Sequence, residues 1–416
     1  TIACEFHRTN KIKYRQMKRL LLFIFLLSSL ELVGQNQRMI SYNLFDGSAD
    51  TLNAVDFDTT IAREMTNYYI GNYNNDLNVL NENAPVDNLY PGSSFTLKRQ
   101  ASLDYSISNY PIRTSIKLFI FENDSLNDLC SGSMISRKHV LTACHCVAKL
   151  NKDSLLADSF FVCPALDNGQ MNNNFDCSWV KKIYIFENWN ISNLDFAVLE
   201  LEKPIGEETG WLSIGFESND SLLLDGLFYK FTYPATTIIA IDSNFYNGDT
   251  LYYYYGISDF VNKNYLGICN ANGIPGESGS SLIKIENNKN YTSYGVLSLS
   301  FNLQHSRLTN WKYYSIKSII ANALTEPNNW NNEQAEISVF PVPSTGILNI
   351  IYSGDDELRK LMLFDLNGRK VMEKTNPTNE LKLDLSSLPS GTYILISCTE
   401  KRKLVNKIVK IGSNNQ

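Results

Sequence analysis

A histidine, an aspartate and a serine occur in sequence surroundings that suit nucleophilic catalysis. His145 follows a short apolar run, Asp195 opens another, and the serine lies between glycines in the run Gly276-Glu277-Ser278-Gly279-Ser280. A serine hydroxyl is a poor nucleophile near neutral pH, so it needs a base that accepts its proton and a carboxylate that holds that base. Neighbouring glycines let backbone N–H groups turn toward a developing oxyanion. The chain therefore carries the residue types that an activated serine requires.

The elements that must position these residues are short and rich in β-forming side chains. Such runs alternate with Gly, Asn, Asp and Pro at residues 114–121, 140–143, 180–186, 196–201, 227–233, 250–255 and 294–300. Many short strands separated by turn residues predict an all-β barrel or sandwich. Over residues 311–324, apolar residues recur at helical spacing, which predicts a single amphipathic helix at the end of this domain.

The three segments together resemble the trypsin/chymotrypsin superfamily of serine endopeptidases. The resemblance rests on Thr142-Ala143-Cys144-His145-Cys146, on the apolar run after Asp195, on the glycines around Ser278, and on the chain order His, Asp, Ser. It covers about residues 104–324 and implies the chymotrypsin fold, which has two six-stranded antiparallel β-barrels and ends in one helix. It also implies Ser278 as nucleophile, His145 as general base and Asp195 as the residue that orients the base. The N–H groups of Gly276 and Ser278 would then form the oxyanion hole.

Several positions depart from the trypsin pattern and bear on specificity. No Ile-Val-Gly-Gly occurs near residue 100, and Glu277 stands where trypsin has the Asp that pairs with its new N-terminus, so trypsin-style activation is not expected. The pattern is closer to bacterial glutamyl endopeptidases, but Leu297 replaces their specificity histidine, and Asn272 replaces the tryptic Asp. The resemblance implies that Ser298 pairs with the bound peptide and that Ser300 narrows the pocket. We expect a preference for small or polar residues.

Export would permit disulfide bonds, and the chain has eight cysteines. The resemblance implies a bridge that fixes the histidine-bearing loop, and a second pair flanks a turn rich in Asn and Asp; the predicted pairs are Cys130–Cys146 and Cys163–Cys177. For Cys144 and Cys269 two interpretations are open: the two form a third disulfide, or both are buried thiols.

The N-terminal region has the pattern of a secretory signal peptide. The basic start Met17-Lys18-Arg19 precedes an apolar run, and Gly34 offers a small residue for cleavage; a buried core helix is the alternative. Lys98-Arg99 is either a processing point or a basic surface pair. The predicted organisation is upstream translated sequence (1–16), signal peptide (17–34), propeptide or N-terminal extension (35–103), protease domain (104–325), linker (326–336) and C-terminal module (337–416).

The C-terminal module resembles the sorting domain of the type IX secretion system. The resemblance rests on four segments, at residues 339–346, 364–369, 383–393 and 407–410, with Val342 in place of the usual Asn. Asn367-Gly368 between two apolar runs predicts a hairpin. The resemblance implies export through the type IX machinery to an extracellular or surface-attached location. A β-sandwich that binds carbohydrate or a surface is the alternative.

Charge and motifs exclude other function classes. The net charge of −6 argues against a surface that binds nucleic acid. The chain has no Walker loop and no GxGxxG at a strand-to-helix turn, so a nucleotide cofactor is unsupported, and we expect no cofactor and no metal. After signal cleavage no transmembrane segment is expected. His7, His139 and His305 are expected to be ordinary surface or core residues. The predicted function is a secreted serine endopeptidase acting on proteins or peptides through an acyl-enzyme; the alternative is a catalytically silent homologue that acts as a surface adhesin or binding module.

Overall fold

The structure, a computed structural model, describes most of the chain after residue 37. The described ranges are 38–53, 79–123, 125–150, 154–190, 194–224, 226–236, 245–286, 290–325, 337–354, 356–365, 369–399 and 403–412. The predicted upstream sequence, signal peptide and linker lie outside them, as do Cys4 and His7. None of the described helices is both long enough and apolar enough to cross a membrane.

Six strands of the first half of the chain close into an antiparallel barrel. The strands up to residue 201 are β1 (Arg38–Asn43), β2 (Ala49–Asn53), β3 (Arg99–Gln100), β4 (Ser115–Glu122), β5 (Ser125–Met134), β6 (His139–Thr142), β7 (Ser159–Pro164), β8 (Ser178–Phe186) and β9 (Ala197–Leu201). The closed order is β4-β5-β6-β9-β8-β7, with β7 pairing back to β4. Successive side chains of β4 face opposite sides, so Ile116, Leu118 and Ile120 fill the barrel while Phe119 and Phe121 join a second apolar cluster.

The following segment repeats the same strand order in a half-barrel. Its elements are α1 (Gly206–Thr209), β10 (Ser213–Ile214), α2 (Asp220–Leu224), β11 (Leu227–Thr232), β12 (Tyr252–Ile257), β13 (Phe260–Val261), β14 (Tyr265–Gly267), β15 (Ser281–Ile285), β16 (Tyr291–Leu299), β17 (Gln304–Arg307) and α3 (Asn310–Thr325). The order is β12-β11-β15-β16-β17-β14, so β11 pairs with β12 and β15 as β4 pairs with β5 and β7. The all-β class and the domain's ending in a helix are confirmed; of the two expected six-stranded barrels, the first is closed and the second is a half-barrel.

The terminal helix packs back onto the first barrel. Ile316, Ile319 and Ile320, which the helical spacing placed on one face of α3, are buried in the cluster that fills that barrel. At the start of the helix, the ring of Trp311 contacts that of Phe186 edge-on, at 5.1 Å between centroids. The helix therefore joins the end of the domain to its first half.

Residues before the protease domain extend both sheets. β1 pairs with β8 at the edge of the first barrel, and β3 pairs with β12 in the second. Lys98, one half of the basic pair, has 4% of its side chain exposed, and Arg99 forms a 2.8 Å ion pair with Asp104. This basic pair is therefore not a freely solvated surface.

The C-terminal module is a sandwich of two antiparallel sheets. Its strands are β18 (Ile337–Phe340), β19 (Ile347–Tyr352), β20 (Leu358–Asp365), β21 (Lys370–Thr375), β22 (Glu380–Asp384), β23 (Gly391–Thr399) and β24 (Lys403–Lys410). The sheets are β18-β19-β22 and β21-β20-β23-β24. The predicted small β-sandwich is confirmed, and β20 pairs with β21 as the predicted hairpin requires, although residues 366–368 of its turn lie outside the described ranges.

Candidate active site

His145 lies on a short helical turn that the first barrel holds from two sides. The turn Cys144–Cys146 begins directly after β6, and a disulfide joins Cys146 to Cys130 of β5 with 6.2 Å between their Cα atoms. Both neighbours of His145 are buried, whereas 31% of the histidine side chain is exposed. The imidazole thus lies at the surface on a turn that strand β6 and a disulfide to β5 both hold in place.

Asp195 lies just before β9 and accepts hydrogen bonds from the histidine at two points. The backbone N–H of His145 donates to Oδ1 at 2.9 Å, and Nδ1 of the ring lies 2.7 Å from Oδ2. The carboxylate is almost fully buried, at 7% exposure of the residue. Because β6 pairs with β9, the residues that end one strand and precede the other meet at one end of the barrel.

The two groups shift each other's pKa. Burial favours the neutral imidazole, but the charge of Asp195 and the hydrogen bond to it outweigh burial and raise the pKa of His145 above its ordinary value. Burial by itself would raise the pKa of Asp195, but the charge on His145 and the hydrogen bonds from His145 and Ser298 lower it. The carboxylate is therefore ionised over the pH range in which the imidazole titrates. In the neutral imidazole, Nδ1 carries the proton and donates it in a hydrogen bond to Asp195.

Ser278 lies in a loop whose glycines adopt left-handed backbone conformations. Gly276 has a φ of +85°, and Gly279 has a φ of +82°. A Cβ at Gly276 would lie 2.3 Å from the carbonyl oxygen of Tyr233. The sequence needs glycine at these positions, because a side chain would be both strained and in collision. Among the described residues, neither the N–H of Gly276 nor that of Ser278 donates a hydrogen bond to a backbone carbonyl.

The serine loop packs against the strand end that leads to His145. A Cβ at Gly279 would lie 2.1 Å from Thr142 Oγ1 and 2.8 Å from the backbone nitrogen of Ala143, which shows how closely the two segments approach. The backbone N–H of Ser131 donates to the carbonyl of Ser278 at 2.8 Å. Ser278 itself is partly exposed. The fold thus brings the loop of Ser278 and the turn of His145 to one place between the barrels.

Ser298 has a contact that the sequence did not indicate. Its Oγ donates to Asp195 Oδ2 at 2.6 Å, so this serine supports the carboxylate, in addition to the peptide-pairing role expected of its backbone. Its neighbour Leu297 exchanges two backbone hydrogen bonds of 2.9 Å with Gly279 and Ser280. Strand β16 therefore connects the His–Asp pair with the serine loop. A lone serine in an apolar strand carries no sequence signal for this role.

The segments expected to form the substrate pocket are in direct contact. The N–H of Gly273 donates to the carbonyl of Ser300 at 2.8 Å, and Asn272 forms an isolated β-bridge with Phe301. A Cβ at Gly273 would lie 3.2 Å from Cδ2 of Leu297. The two segments are thus joined by backbone contacts, and the side chain of Leu297 lies beside Gly273.

The remaining cysteines and histidines fall into structural positions. A second disulfide joins Cys163 to Cys177. Cys144 and Cys269 do not form the third disulfide, and of the two thiols only Cys144 is buried, whereas Cys269 is partly exposed. Burial lowers the pKa of His139 to about 3 and that of His305 far below its ordinary value, so both rings are neutral. In the described ranges, no group of His, Cys, Asp or Glu is arranged to hold a metal ion.

Comparison with known proteins gives two family matches and a set of solved structures. Residues 106–315, just over half of the chain, match the Trypsin family, and residues 338–411 match the Secretion system C-terminal sorting domain. The chain is similar to a Glu endopeptidase in complex with MPD, at 19% identity over 54% of this chain and 96% of that one, with a TM-score of 0.44. It is also similar to the protease Anisep from Arthrobacter nicotinovorans, at 18% identity over 54% and 100%, with a TM-score of 0.41. No curated protein matches the chain.

Proposed function

The chain belongs to the trypsin family, and on that premise we propose that it is a secreted serine endopeptidase that works through an acyl-enzyme. The observation that carries the proposal is the pair of His145 and Asp195, joined at 2.7 Å beside the loop of Ser278. A protein that had kept the fold for adhesion alone would have no need of a buried carboxylate that raises the pKa of a partly exposed imidazole.

The proposed reaction uses these residues in the roles that the family resemblance implies. Ser278 Oγ attacks the carbonyl carbon of the scissile bond while Nε2 of His145 takes its proton. The oxyanion accepts hydrogen bonds from the N–H groups of Gly276 and Ser278. The C–N bond then breaks as His145 returns the proton to the departing amine, leaving an ester on Ser278. Water, deprotonated by His145, hydrolyses that ester and restores the serine.

A fluorophosphonate probe tests the proposal, because it phosphonylates a serine only where a base and an oxyanion hole activate it. We expect labelling of the wild-type protein and none of Ser278→Ala. The matched control is Ser281→Ala, which removes a buried serine at the start of β15 whose Oγ accepts a hydrogen bond from Ser293 at 2.9 Å. Absence of labelling in the folded wild-type protein would contradict the proposal and favour the catalytically silent homologue.

We further propose a preference for a small residue on the acyl side of the cleaved bond. The support is the 2.8 Å hydrogen bond between Gly273 and Ser300, together with Leu297, which fills the space beside Gly273. A long side chain would have to break this bond and displace the leucine. Neither Asn272 nor Leu297 supplies a charge for Arg, Lys or Glu.

A library of peptide substrates tests this preference. We expect fastest cleavage after Ala, Ser or Gly. Leu297→Ala should shift the ratio of rates toward larger apolar residues by about 10-fold or more, since a single methylene in an apolar pocket changes selectivity by about 10- to 200-fold. Efficient cleavage after Arg, Lys or Glu by the wild-type protein would refute the proposed preference.

The C-terminal match supports export through the type IX system and a secreted or surface-attached location. Deletion of residues 337–416 should retain the protein in the periplasm of a type IX-competent host. A fusion of residues 337–416 to a periplasmic reporter should reach the medium or the cell surface. Normal secretion of the truncated protein, or a retained reporter, would contradict the assignment.

A further inference from the structure

The carboxylate that precedes Ser278 is fully buried among two lysines and a tyrosine. Tyr254 donates its hydroxyl to Glu277 Oε2 at 2.7 Å, and Lys230 Nζ lies 3.6 Å from the same oxygen. Lys98 Nζ lies 3.3 Å from Oε1, at ion-pair distance but without the alignment of a hydrogen bond. The side chains of Glu277 and Lys230 have no exposed surface, and that of Lys98 has 4%. A buried charge is costly unless it is paired, so these groups hold Glu277 in one position.

The same cluster fixes the backbone on both sides of Glu277. Lys230 also donates to Ser280 Oγ, and this hydroxyl donates to the carbonyl of Glu277 at 2.6 Å. Gly276, which precedes Glu277, has the left-handed conformation that only glycine adopts without strain. The two N–H groups of the proposed oxyanion hole, those of Gly276 and Ser278, flank Glu277 in the chain. A displacement of the Glu277 side chain therefore moves both donors.

Lys98 reaches this cluster from a segment that precedes the first barrel strand. Residues 94–101 lie along β12, where β3 pairs with the barrel and the fully buried Phe95 bridges to Gly256. A Cβ at Gly256 would lie 2.1 Å from the backbone of this segment, so the strand is built for close approach. Backbone pairing between this segment and β12 thus holds the side chain of Lys98 next to Glu277.

We propose that Lys98 is a positioning residue for the oxyanion hole, and that it must stay in the chain for the protein to be active. The inference rests on the proposed serine-protease function. It excludes activation by cleavage at Lys98-Arg99 with loss of the preceding chain, because such cleavage would remove the cation that faces Glu277. The catalytic loop is ordered by an internal lysine, and no new N-terminus is needed.

Lys98→Met tests the inference, because it keeps much of the length of the side chain and removes the charge. We expect kcat to fall about 10- to 100-fold with KM changed less than about threefold, since removal of oxyanion stabilisation acts on the transition state. Affinity for a peptide aldehyde, whose adduct places an oxyanion in the hole, should fall by a similar factor. The matched control is Arg99→Gln, which breaks the exposed ion pair of the adjacent residue with Asp104 and should keep kcat within about twofold.

The double variant Lys98→Met/Glu277→Gln separates positioning from simple loss of stability. We expect kcat to recover about threefold or more over Lys98→Met alone. In Lys98→Met the unpaired buried charge of Glu277 displaces the loop of Ser278, and replacing that carboxylate by an amide removes the charge. Lys117→Met, which removes a different fully buried lysine, controls for stability and should leave the aldehyde affinity of the folded protein unchanged.

If Lys98→Met does not fold, Lys98→Arg provides the second variant, since it keeps the cation. It should fold and label with the fluorophosphonate at a rate within about 10-fold of wild type. Wild-type kcat and aldehyde affinity in folded Lys98→Met would overturn the inference, as would a folded Lys98→Arg that does not label. If the wild-type protein itself fails to label, both the proposed function and this inference fall; if it labels and Lys98→Met labels equally fast, only the inference falls.

Discussion

Asp195 accepts three hydrogen bonds, and together they explain how a nearly buried carboxylate stays charged. Two come from His145, through its backbone N–H and its ring, and the third comes from Ser298. Burial works against the charge, but these donors and the imidazole more than offset it, so the pKa of Asp195 is lowered. At the scale of single residues, Asp195 therefore fixes the tautomer of His145, with the proton on Nδ1, and raises the pKa of its imidazole.

Asp195→Asn should lower kcat/KM on the order of 10⁴-fold near neutral pH, because the amide permits the wrong tautomer of His145. The acid limb of the pH–rate profile should also move. Activity needs the neutral imidazole, and Asp195 raises its pKa, so wild-type activity is lost as pH falls through a value above the ordinary one. Without the carboxylate, burial dominates and the limb shifts to lower pH.

Ser298→Ala is the matched control for this variant. It removes one hydrogen bond to the same carboxylate but keeps its charge, so we expect a loss below about 10-fold and an acid limb near that of wild type. Steady-state kinetics between pH 5 and pH 9, a window of roughly two pH units on either side of neutrality, measures both effects. An unshifted limb in Asp195→Asn would contradict the assigned cause of the raised pKa.

At the scale of elements, the turn that carries His145 depends on a covalent tie as well as on strand pairing. The disulfide Cys130–Cys146 joins β5 to this turn and spans 16 residues, while Cys163–Cys177 spans 14 residues at β7, away from the turn. The two loops are nearly equal in length, so their entropic contributions to stability should be similar. Their effects on the active site should differ, because one of them holds the base.

Replacing both Cys130 and Cys146 by Ala should lower the free energy of unfolding by about 3 kcal/mol and also lower kcat. Replacing Cys163 and Cys177 by Ala should lower stability by a similar amount but leave the kcat of the folded protein unchanged. Urea denaturation without reductant and steady-state kinetics give the two readouts. Equal loss of kcat in both pairs would show that the tie at His145 has no specific role.

At the scale of the whole molecule, the C-terminal module is docked against the first barrel. The ring of Phe364 meets that of Phe121 edge-on at 5.6 Å, within one apolar cluster. At the rim, Thr392 Oγ1 donates to Gln170 Oε1 at 2.7 Å, and Lys407 Nζ donates to the carbonyl of Met171 at 3.1 Å. The module therefore covers an apolar face of the protease domain.

Phe364→Ala should loosen this docking, since loss of a buried phenylalanine costs roughly 3 to 5 kcal/mol where the site does not collapse. Hydrogen exchange should become faster in β7, whose Phe161 belongs to the same apolar cluster as Phe364. The matched control is Leu363→Ala, because Leu363 faces the interior of the module itself and its loss should speed exchange in β20 and β23. Unchanged exchange in β7 of Phe364→Ala would show that the face is not held by this contact.

The amino-acid pattern determined the fold class, the two modules and the local surroundings of the proposed triad. Short runs of β-forming residues between turn residues indicate the strands, and the spacing of Ile316, Ile319 and Ile320 indicates the buried face of α3. The glycines at 276 and 279 could be anticipated because left-handed backbone requires them. Each of these features depends on residues that lie close together in the chain, so the sequence alone is enough to predict it.

The tertiary structure decided which distant residues meet. Ser298 reaches Asp195 across 103 positions, and Lys98 faces Glu277 because a segment outside the family match pairs with β12. The contact between Gly273 and Ser300 likewise depends on how two loops approach. Serine and lysine in these runs look like any other polar residues, since their roles come from strand pairing and burial. The sequence therefore predicted the residues of the proposed triad, while the contacts that support them depend on the folded chain.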